Sequence, residues 1–395
     1  MAVRPKLFLV LKTAVLLVLG VLVLGSGQPR AELVLRVLLL EAKEAQANVG
    51  VHQRITIAGS TSYSAGELLL AAGTNGLLVN GENVGPWAEF AGGSFGLNGR
   101  SYRGSLLGVW QNGKLLLINR VGLEDYLKGV VPSEVPASFP FEVLKAQAVL
   151  ARTYALSRLN PGGLYDLCAD QRCQVYAGAS AESPRHSQAV EATQGLIVSF
   201  GELPITAVYH ADSGGYTAAS EEVWGKALPY LVPRPDPYSQ SPAGSWERVL
   251  EPAEVTRVLN SQSFDVGVVA GLEVLSYSES GRPTKLRVTG SAKMLEFAGP
   301  QATRLLRALG LPSTRVRFEG WRVFGQGSGH GVGMSQWGAK GFADQGRDFR
   351  QSLGYYYPGT FLSSFEVVAG VKAKLLSVTP TLNPSRMLSE AAVAR

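Results

Sequence analysis

The strongest constraint on the fold is a stretch that is apolar on every side. Between Phe141 and Leu159, the residues Phe141, Val143, Leu144, Ala146, Ala148, Val149, Leu150, Ala151, Tyr154, Ala155 and Leu156 fall nearly all the way round a helix. A helix without a polar face has to be enclosed by the rest of its domain. Gln147 and Arg152 lie within the same stretch, so both need partners inside the protein or in a cleft. Ser138 is placed to cap this helix, with Pro140 in its first turn.

The chain has the material to enclose it. Hydrophobic residues make up 46% and charged residues 17% of its 395 residues, enough for two or three domains. Before the helix, residues 28–120 read as a β-rich accessory region. Leu35 to Leu40 is a strong strand, and shorter runs follow at Arg54 to Ala58, Leu68 to Ala72, Gly76 to Val79, Leu106 to Trp110 and Lys114 to Ile118. Gln111-Asn112-Gly113 marks a hairpin between the last two. His52, Trp87 and Trp110 read there as packing or surface residues. The texture changes at Val121, where strands and helices begin to alternate. The expected fold is α+β, a β-rich N-terminal part followed by a mixed core over residues 121–360 with a long substrate cleft. Beyond Val367 the chain reads as sparse and mobile, so residues 361–395 are set apart as a tail.

Residues 1–27 read as a targeting segment. Arg4 and Lys6 lead into an apolar run from Leu7 to Leu24, and Gly25-Ser26-Gly27 is small enough for a signal-peptidase cut. The alternative is an uncleaved anchor in the membrane. Either way the body is expected outside the cytoplasm, in the cell envelope or secreted. The net charge of +6 owes three positive charges to Arg4, Lys6 and Lys12; the remainder holds 34 basic and 31 acidic residues. That balance gives no argument for nucleic acid as a partner. It permits weak attraction to a polyanionic wall.

One acid is conspicuous. Glu134 sits between Pro132 and Pro136, which reads as a stiff loop outside any helix, beside Val135, Phe139 and Phe141. Apolar surroundings raise a carboxyl pKa and suit it to general-acid work. Ala207 to Thr217 brings His210, Asp212 and Ser213 together, but no Gly-x-Ser-x-Gly elbow accompanies them, so a polar cleft wall is the better reading than a hydrolase triad. Gly325 to Ala339 alternates glycines around His330 and includes Gln336, with a helix opening near Met334. No Gly-Lys-Ser/Thr follows, which removes a phosphate loop and leaves a tight turn facing a cleft. Cys168 and Cys173 make a close pair with no histidine nearer than His186, so a disulfide is a plainer reading than a zinc site.

Four blocks of sequence carry a resemblance. They are Gly129 to Pro136 running into Leu144 to Ala155, then Cys173-Gln174-Val175-Tyr176, then Tyr209 to Thr217 with Val223-Trp224, and last Gly329 to Ala339 with Tyr356-Tyr357-Pro358-Gly359. In that order and over most of residues 121–360 they resemble the SpoIID/LytB family of cell-wall proteins. The resemblance implies a peptidoglycan lytic transglycosylase. Such an enzyme cuts the MurNAc–GlcNAc β-1,4 bond of peptide-stripped glycan strands and leaves 1,6-anhydro-MurNAc ends. The alternative it carries is a non-catalytic peptidoglycan-binding enhancer of a wall amidase, an N-acetylmuramoyl-L-alanine amidase. Carried over by motif, Glu134 is the catalytic acid and base. Gln147, Arg152, Tyr176, His210, Ser213, His330 and Gln336 are the candidates for binding sugar. Family members can hold zinc in the cysteine loop, beside a histidine that is Arg172 in this chain. That departure points to a Cys168–Cys173 disulfide with no metal and no other cofactor. A zinc amidase lacks its ligands.

Overall fold

A computed structural model of the chain describes residues 32–57, 60–368 and 372–380. The targeting segment lies outside them, as does the end of the strand expected at Arg54 to Ala58. Within the described residues the fold is α+β. Its first part is an eleven-stranded sheet. The strand Val34–Ala42 pairs antiparallel with Lys114–Gly122, which returns through a hairpin to Ser105–Gln111. Alternation along Val34–Ala42 buries Leu35 and Val37 and leaves Val34 exposed, as a sheet with one covered face requires.

Eight helices are described: α1 Leu123–Glu134, α2 Phe141–Ser157, α3 Pro184–Ala192, α4 Ser220–Trp224, α5 Pro252–Ser261, α6 Pro300–Ala308, α7 Gln336–Asp344 and α8 Phe349–Tyr356. The helix α2 is buried from Val143 to Leu156 except at Lys145, as its all-round apolar sequence demands. The sheet, α1 to α4, α7 and α8 share one continuous hydrophobic core that runs from Leu33 to Leu362. The change at Val121 is therefore a change of secondary structure within that core.

The start of α2 departs from expectation. Pro140 takes the N-cap position with an extended backbone (φ −51°, ψ 145°), no side chain caps the first turn, and Ser138 is exposed. The Pro140 carbonyl takes the Val143 N–H at 2.9 Å, so the first turn closes without the Ser138 side chain. The environment of Glu134 departs further. The segment expected as a loop is the last turn of α1, with Pro132 inside the helix and Glu134 its final residue. Pro132 comes late enough that only one helical bond is lost, and the Val135 N–H still closes on the Val131 carbonyl at 3.2 Å. Pro136 then forces Val135 into the extended region (φ −135°, ψ 133°) and ends the helix.

Two further features depart from expectation. Residues from Trp246 to Val323 form a second hydrophobic core of their own, in which α5 and α6 pack with the sheet Val269–Tyr277, Pro283–Gly290 and Met294–Ala298 and with the hairpin Arg315–Glu319 and Arg322–Gln326. The chain beyond Thr360 also makes strands. Phe361–Val368 pairs antiparallel with Leu196–Phe200, and Lys372–Pro380 pairs with Phe361–Val368. The segment expected to be mobile thus extends a sheet of the core. Lys372 to Thr379 contains no glycine or proline to interrupt a strand.

Candidate active site

Three separate pieces of chain converge on Glu134. The first is α1, whose C-terminal end carries it. The second is the cysteine loop. Leu167–Cys168 pairs in parallel with Val37–Leu38, Cys168 and Cys173 are disulfide-bonded with their Cα atoms 5.5 Å apart, and the Tyr176 N–H bonds back to the Ala169 carbonyl at 3.0 Å. The disulfide expected from the sequence is therefore present. It fixes Gln174 and Val175 against the end of α1, where the Val175 N–H points at Glu134 Oε1 from 3.4 Å. Close approach needs a missing side chain at Gly129, where a Cβ would come within 2.7 Å of the Tyr176 ring and 2.9 Å of the Gly178 carbonyl.

The third piece is the short strand Tyr209–His210, which pairs in parallel with Met334–Ser335. The glycine run leads into that pairing. Gly327, Gly329, Gly331 and Gly333 all take positive φ, between 73° and 99°, and a Cβ on Gly333 would collide with the Val208 carbonyl. Ser335 then caps α7, its Oγ accepting from the Gly338 N–H at 3.0 Å. The geometry brings His330 beside Tyr209.

These pieces line a cleft of about 750 Å³ with Glu134, Gln174, Val175, Tyr209 and His330, to which Trp224, Arg158, Arg172, Lys226 and Arg307 also contribute. Glu134 is the only carboxylate among its described lining residues. Burial raises the Glu134 pKa, against the pull of the Val175 N–H and of the Tyr209 hydroxyl, which both hydrogen-bond the charged form. Tyr209 is in turn held well above its ordinary value by burial and by the Glu134 charge.

His330 is a neutral wall of the cleft. Burial, with the charges of Arg307 and Arg282, pushes its pKa down to about 4. Its Nδ1 accepts from the Val332 N–H at 3.0 Å, so Nε2 carries the proton, and it hydrogen-bonds to the Tyr209 carbonyl. Trp224 packs against the His330 ring with centroids 5.2 Å apart and is 44% exposed. An exposed indole on a cleft wall offers an apolar face to a bound ring. His210 lies behind His330 with ring centroids 5.5 Å apart. Its Nδ1 meets the Val332 carbonyl at 3.1 Å, and its Nε2 has no hydrogen-bonding partner among the described residues.

The other expected sugar-binding residues are placed differently. Gln147 is fully buried, and its Oε1 accepts from Gln336 Nε2 at 3.3 Å, so these two meet each other away from the lining just described. Arg152 is fully buried and forms a bidentate pair with Glu124, at 2.8 Å and 2.7 Å, and reaches the Leu196 and Val190 carbonyls. Tyr176 is 2% exposed and donates to Asn119 Oδ1 at 2.9 Å. Ser213 is buried and donates to Asp236 Oδ2 at 2.8 Å, and Tyr356 donates to the other oxygen at 2.9 Å. Asp212, beside it, accepts from Ser239 at 2.6 Å and from Ser241 and anchors the polar loop. Arg152, Tyr176 and Ser213 thus face internal partners.

Gln174, Tyr209 and Trp224 line the cleft and are absent from the sequence-derived candidates, which hold Tyr176 and His210 beside the first two. The Tyr209 case has a simple cause. Adjacent residues of a strand face opposite ways, so choosing between Tyr209 and His210 requires knowing which face is wet.

For zinc, the sulfurs of Cys168 and Cys173 are bonded to each other, so neither is a thiolate able to ligate. Among the described residues no three histidine, cysteine or acidic side chains are grouped to hold a metal. The disulfide-bonded cysteine loop does not fit a zinc ion.

Comparison with known proteins agrees with the motif blocks. The family model described as stage II sporulation protein (SpoIID) matches residues 111–200. The chain is 33% identical over 278 residues to an uncharacterised protein of Brachyspira hyodysenteriae, covering 69% of this chain and 75% of that one. It is 31% identical over 282 residues to stage II sporulation protein D of Bacillus subtilis, covering 62% of this chain and 76% of the relative. It is 32% identical over 290 residues to the amidase enhancer of Bacillus subtilis, covering 60% of this chain and 40% of that longer protein. With three quarters of stage II sporulation protein D of Bacillus subtilis covered at 31% identity, the chain belongs to the stage II sporulation protein (SpoIID) family.

Proposed function

We propose that this protein is a peptidoglycan lytic transglycosylase acting outside the cytoplasm. It would cleave MurNAc–GlcNAc β-1,4 bonds of peptide-stripped strands, with Glu134 as acid and base. The observation that carries the reading is a solitary, raised carboxyl on the wall of a cleft with no second carboxylate among its described lining residues. Hydrolytic glycosidases use a pair, one member acting on water or forming a covalent intermediate. A transglycosylase does without the second because its nucleophile is the 6-hydroxyl of the same sugar. Intramolecular attack has an effective concentration of roughly 10⁵–10⁸ M when well oriented.

Glu134 would first give its proton to the glycosidic oxygen as the C1–O bond breaks. The carboxylate so formed would take the proton of the 6-hydroxyl as its oxygen closes on C1. Each role needs a different protonation state, and the opposed influences on Glu134 suit both. Burial favours the protonated acid, while the Val175 N–H and the Tyr209 hydroxyl favour the anion. Trp224 and the neutral His330 would form the wall against the sugar ring. The disulfide suits an oxidising compartment.

A second reading has one specific support, the relative named an amidase enhancer. In it the same cleft binds glycan without cutting and presents the strand to a wall amidase. Glycan strands treated with wild-type protein and with Glu134→Gln separate the two. New anhydro ends from wild type alone support the transglycosylase. Equal binding and equal amidase stimulation by both proteins, with no cleavage by either, support the enhancer.

A further inference from the structure

The Glu134 carboxyl terminates a chain of hydrogen bonds that runs back into the core. The Tyr126 hydroxyl, fully buried in α1, donates to Gln174 Oε1 at 3.3 Å. Gln174 Nε2 donates to the Tyr209 hydroxyl oxygen at 3.2 Å. The Tyr209 hydroxyl meets the Glu134 carboxyl. A hydroxyl can donate or accept, but an amide has one end of each kind, so Gln174 sets the direction of the whole chain. With Nε2 donating into the Tyr209 oxygen, the Tyr209 proton is left for Glu134. We propose that Gln174 is a positioning residue for the glycan-cleaving reaction, aiming the Tyr209 proton at the Glu134 carboxylate. The proposal rests on the reading of Glu134 as the acid and base.

Gln174 is suited to hold that direction. It is 2% exposed and follows the disulfide directly, so its backbone is pinned. Tyr126 occupies its acceptor end, which opposes a flip of the amide. A flipped amide would present an oxygen to Tyr209, draw the phenol proton away and leave Glu134 with the Val175 N–H alone. The fixed donor therefore favours the anion of Glu134, and its loss favours the protonated acid. The other titratable groups around the cleft are Tyr154, Arg158, Arg172, Lys226, Arg307 and His330. They are common to wild type and to the variants below, so a difference in titration reports the hydrogen-bond chain.

The test is the titration of the Glu134 carboxyl carbon by NMR on glutamate-labelled full-chain protein, assigned by its disappearance in Glu134→Gln. Gln174→Met keeps the bulk of the side chain and removes both ends of the amide. It should raise the Glu134 pKa by about 0.5 to 1 unit, the usual scale for losing one donor to a carboxylate. Gln174→Glu adds a charge and only acceptors, and should raise it further. Tyr126→Phe frees the amide to turn and should raise it by less, giving a second variant if Gln174→Met does not fold. The basic limb of kcat against pH should move up with the same order, while KM stays within about twofold, because the acid form of Glu134 is the active one. An unmoved titration in the folded variants overturns the proposal. So does a raised KM with an unmoved titration, which makes Gln174 a sugar contact. If Glu134→Gln retains full activity, the reaction assigned to Glu134 fails, while the carboxyl titration still decides whether Gln174 controls it.

Discussion

Arg152 provides a sharp separation between structure and substrate binding. Its guanidinium is fully buried and makes four hydrogen bonds, two to Glu124 on α1, one to the Leu196 carbonyl and one to the Val190 carbonyl of α3. It therefore ties α2 to three neighbouring elements at once. Arg152→Met keeps much of the volume and removes every one of these bonds. Breaking a buried pair by taking one partner costs about 3–5 kcal/mol, because the other charge stays behind. Glu124 keeps 21% of its side chain exposed, so water recovers part of that, while two orphaned carbonyls add about 1–3 kcal/mol each where water cannot enter. A net loss of about 4 kcal/mol follows. For a chain of this size, with a urea slope of about 3 kcal/mol per molar, the unfolding midpoint should fall by about 1.3 M. Urea titration followed by tryptophan fluorescence and circular dichroism measures it. At low temperature, where the variant remains folded, KM for glycan strands should match wild type. A midpoint within about 0.3 M of wild type would refute the structural role. So would a raised KM with an unchanged midpoint, which would return Arg152 to the substrate.

Three other outcomes are expected. Cys168→Ser with Cys173→Ser opens a loop of sequence separation 5 and should cost about 2 kcal/mol by loop entropy, read as a lower urea midpoint; glycan cleavage should fall more than glycan binding, because Val175 and Gln174 lose their anchor. Burial raises the Asp236 pKa from an ordinary 3.8 to about 6, so folding favours its protonated form; that contribution is present below about pH 4 and lost as pH rises through about 6. Asp236→Asn should therefore remove up to about 3 kcal/mol of the wild type's decline in stability between those values, seen as a flatter plot of melting temperature against pH. Trp224→Ala should raise KM for glycan strands about tenfold and leave the Glu134 titration where it is, since the indole is an exposed wall of the cleft.

How much of this could be read from the sequence depended on how local the deciding physics was. The burial of α2 was legible because eleven apolar residues around one helix admit only one environment. Glu134 was legible as a carboxyl in apolar surroundings, but its backbone was not. Two flanking prolines argue against a helix interior, whereas a helix end tolerates Pro132 and is terminated by Pro136. The partners of Gln147 and Arg152 were demanded by burial, yet nothing along the chain said that one need would be met by Gln336 and the other by Glu124. The second core from Trp246 to Val323 was missed because its members are short elements whose apolar faces meet only after folding. The C-terminal strands were missed because the edge they extend, Leu196–Phe200, is more than 150 residues earlier in the chain.

The central claim is that the 6-hydroxyl of the sugar, and not water, ends the cleavage. The direct measurement is mass spectrometry of glycan ends produced by the full protein in water enriched with heavy oxygen. Attack by the 6-hydroxyl gives new MurNAc ends lighter by one water than hydrolytic ends, carrying no heavy oxygen, and absent with Glu134→Gln. New reducing ends labelled with heavy oxygen would mean that water attacks, and would contradict it.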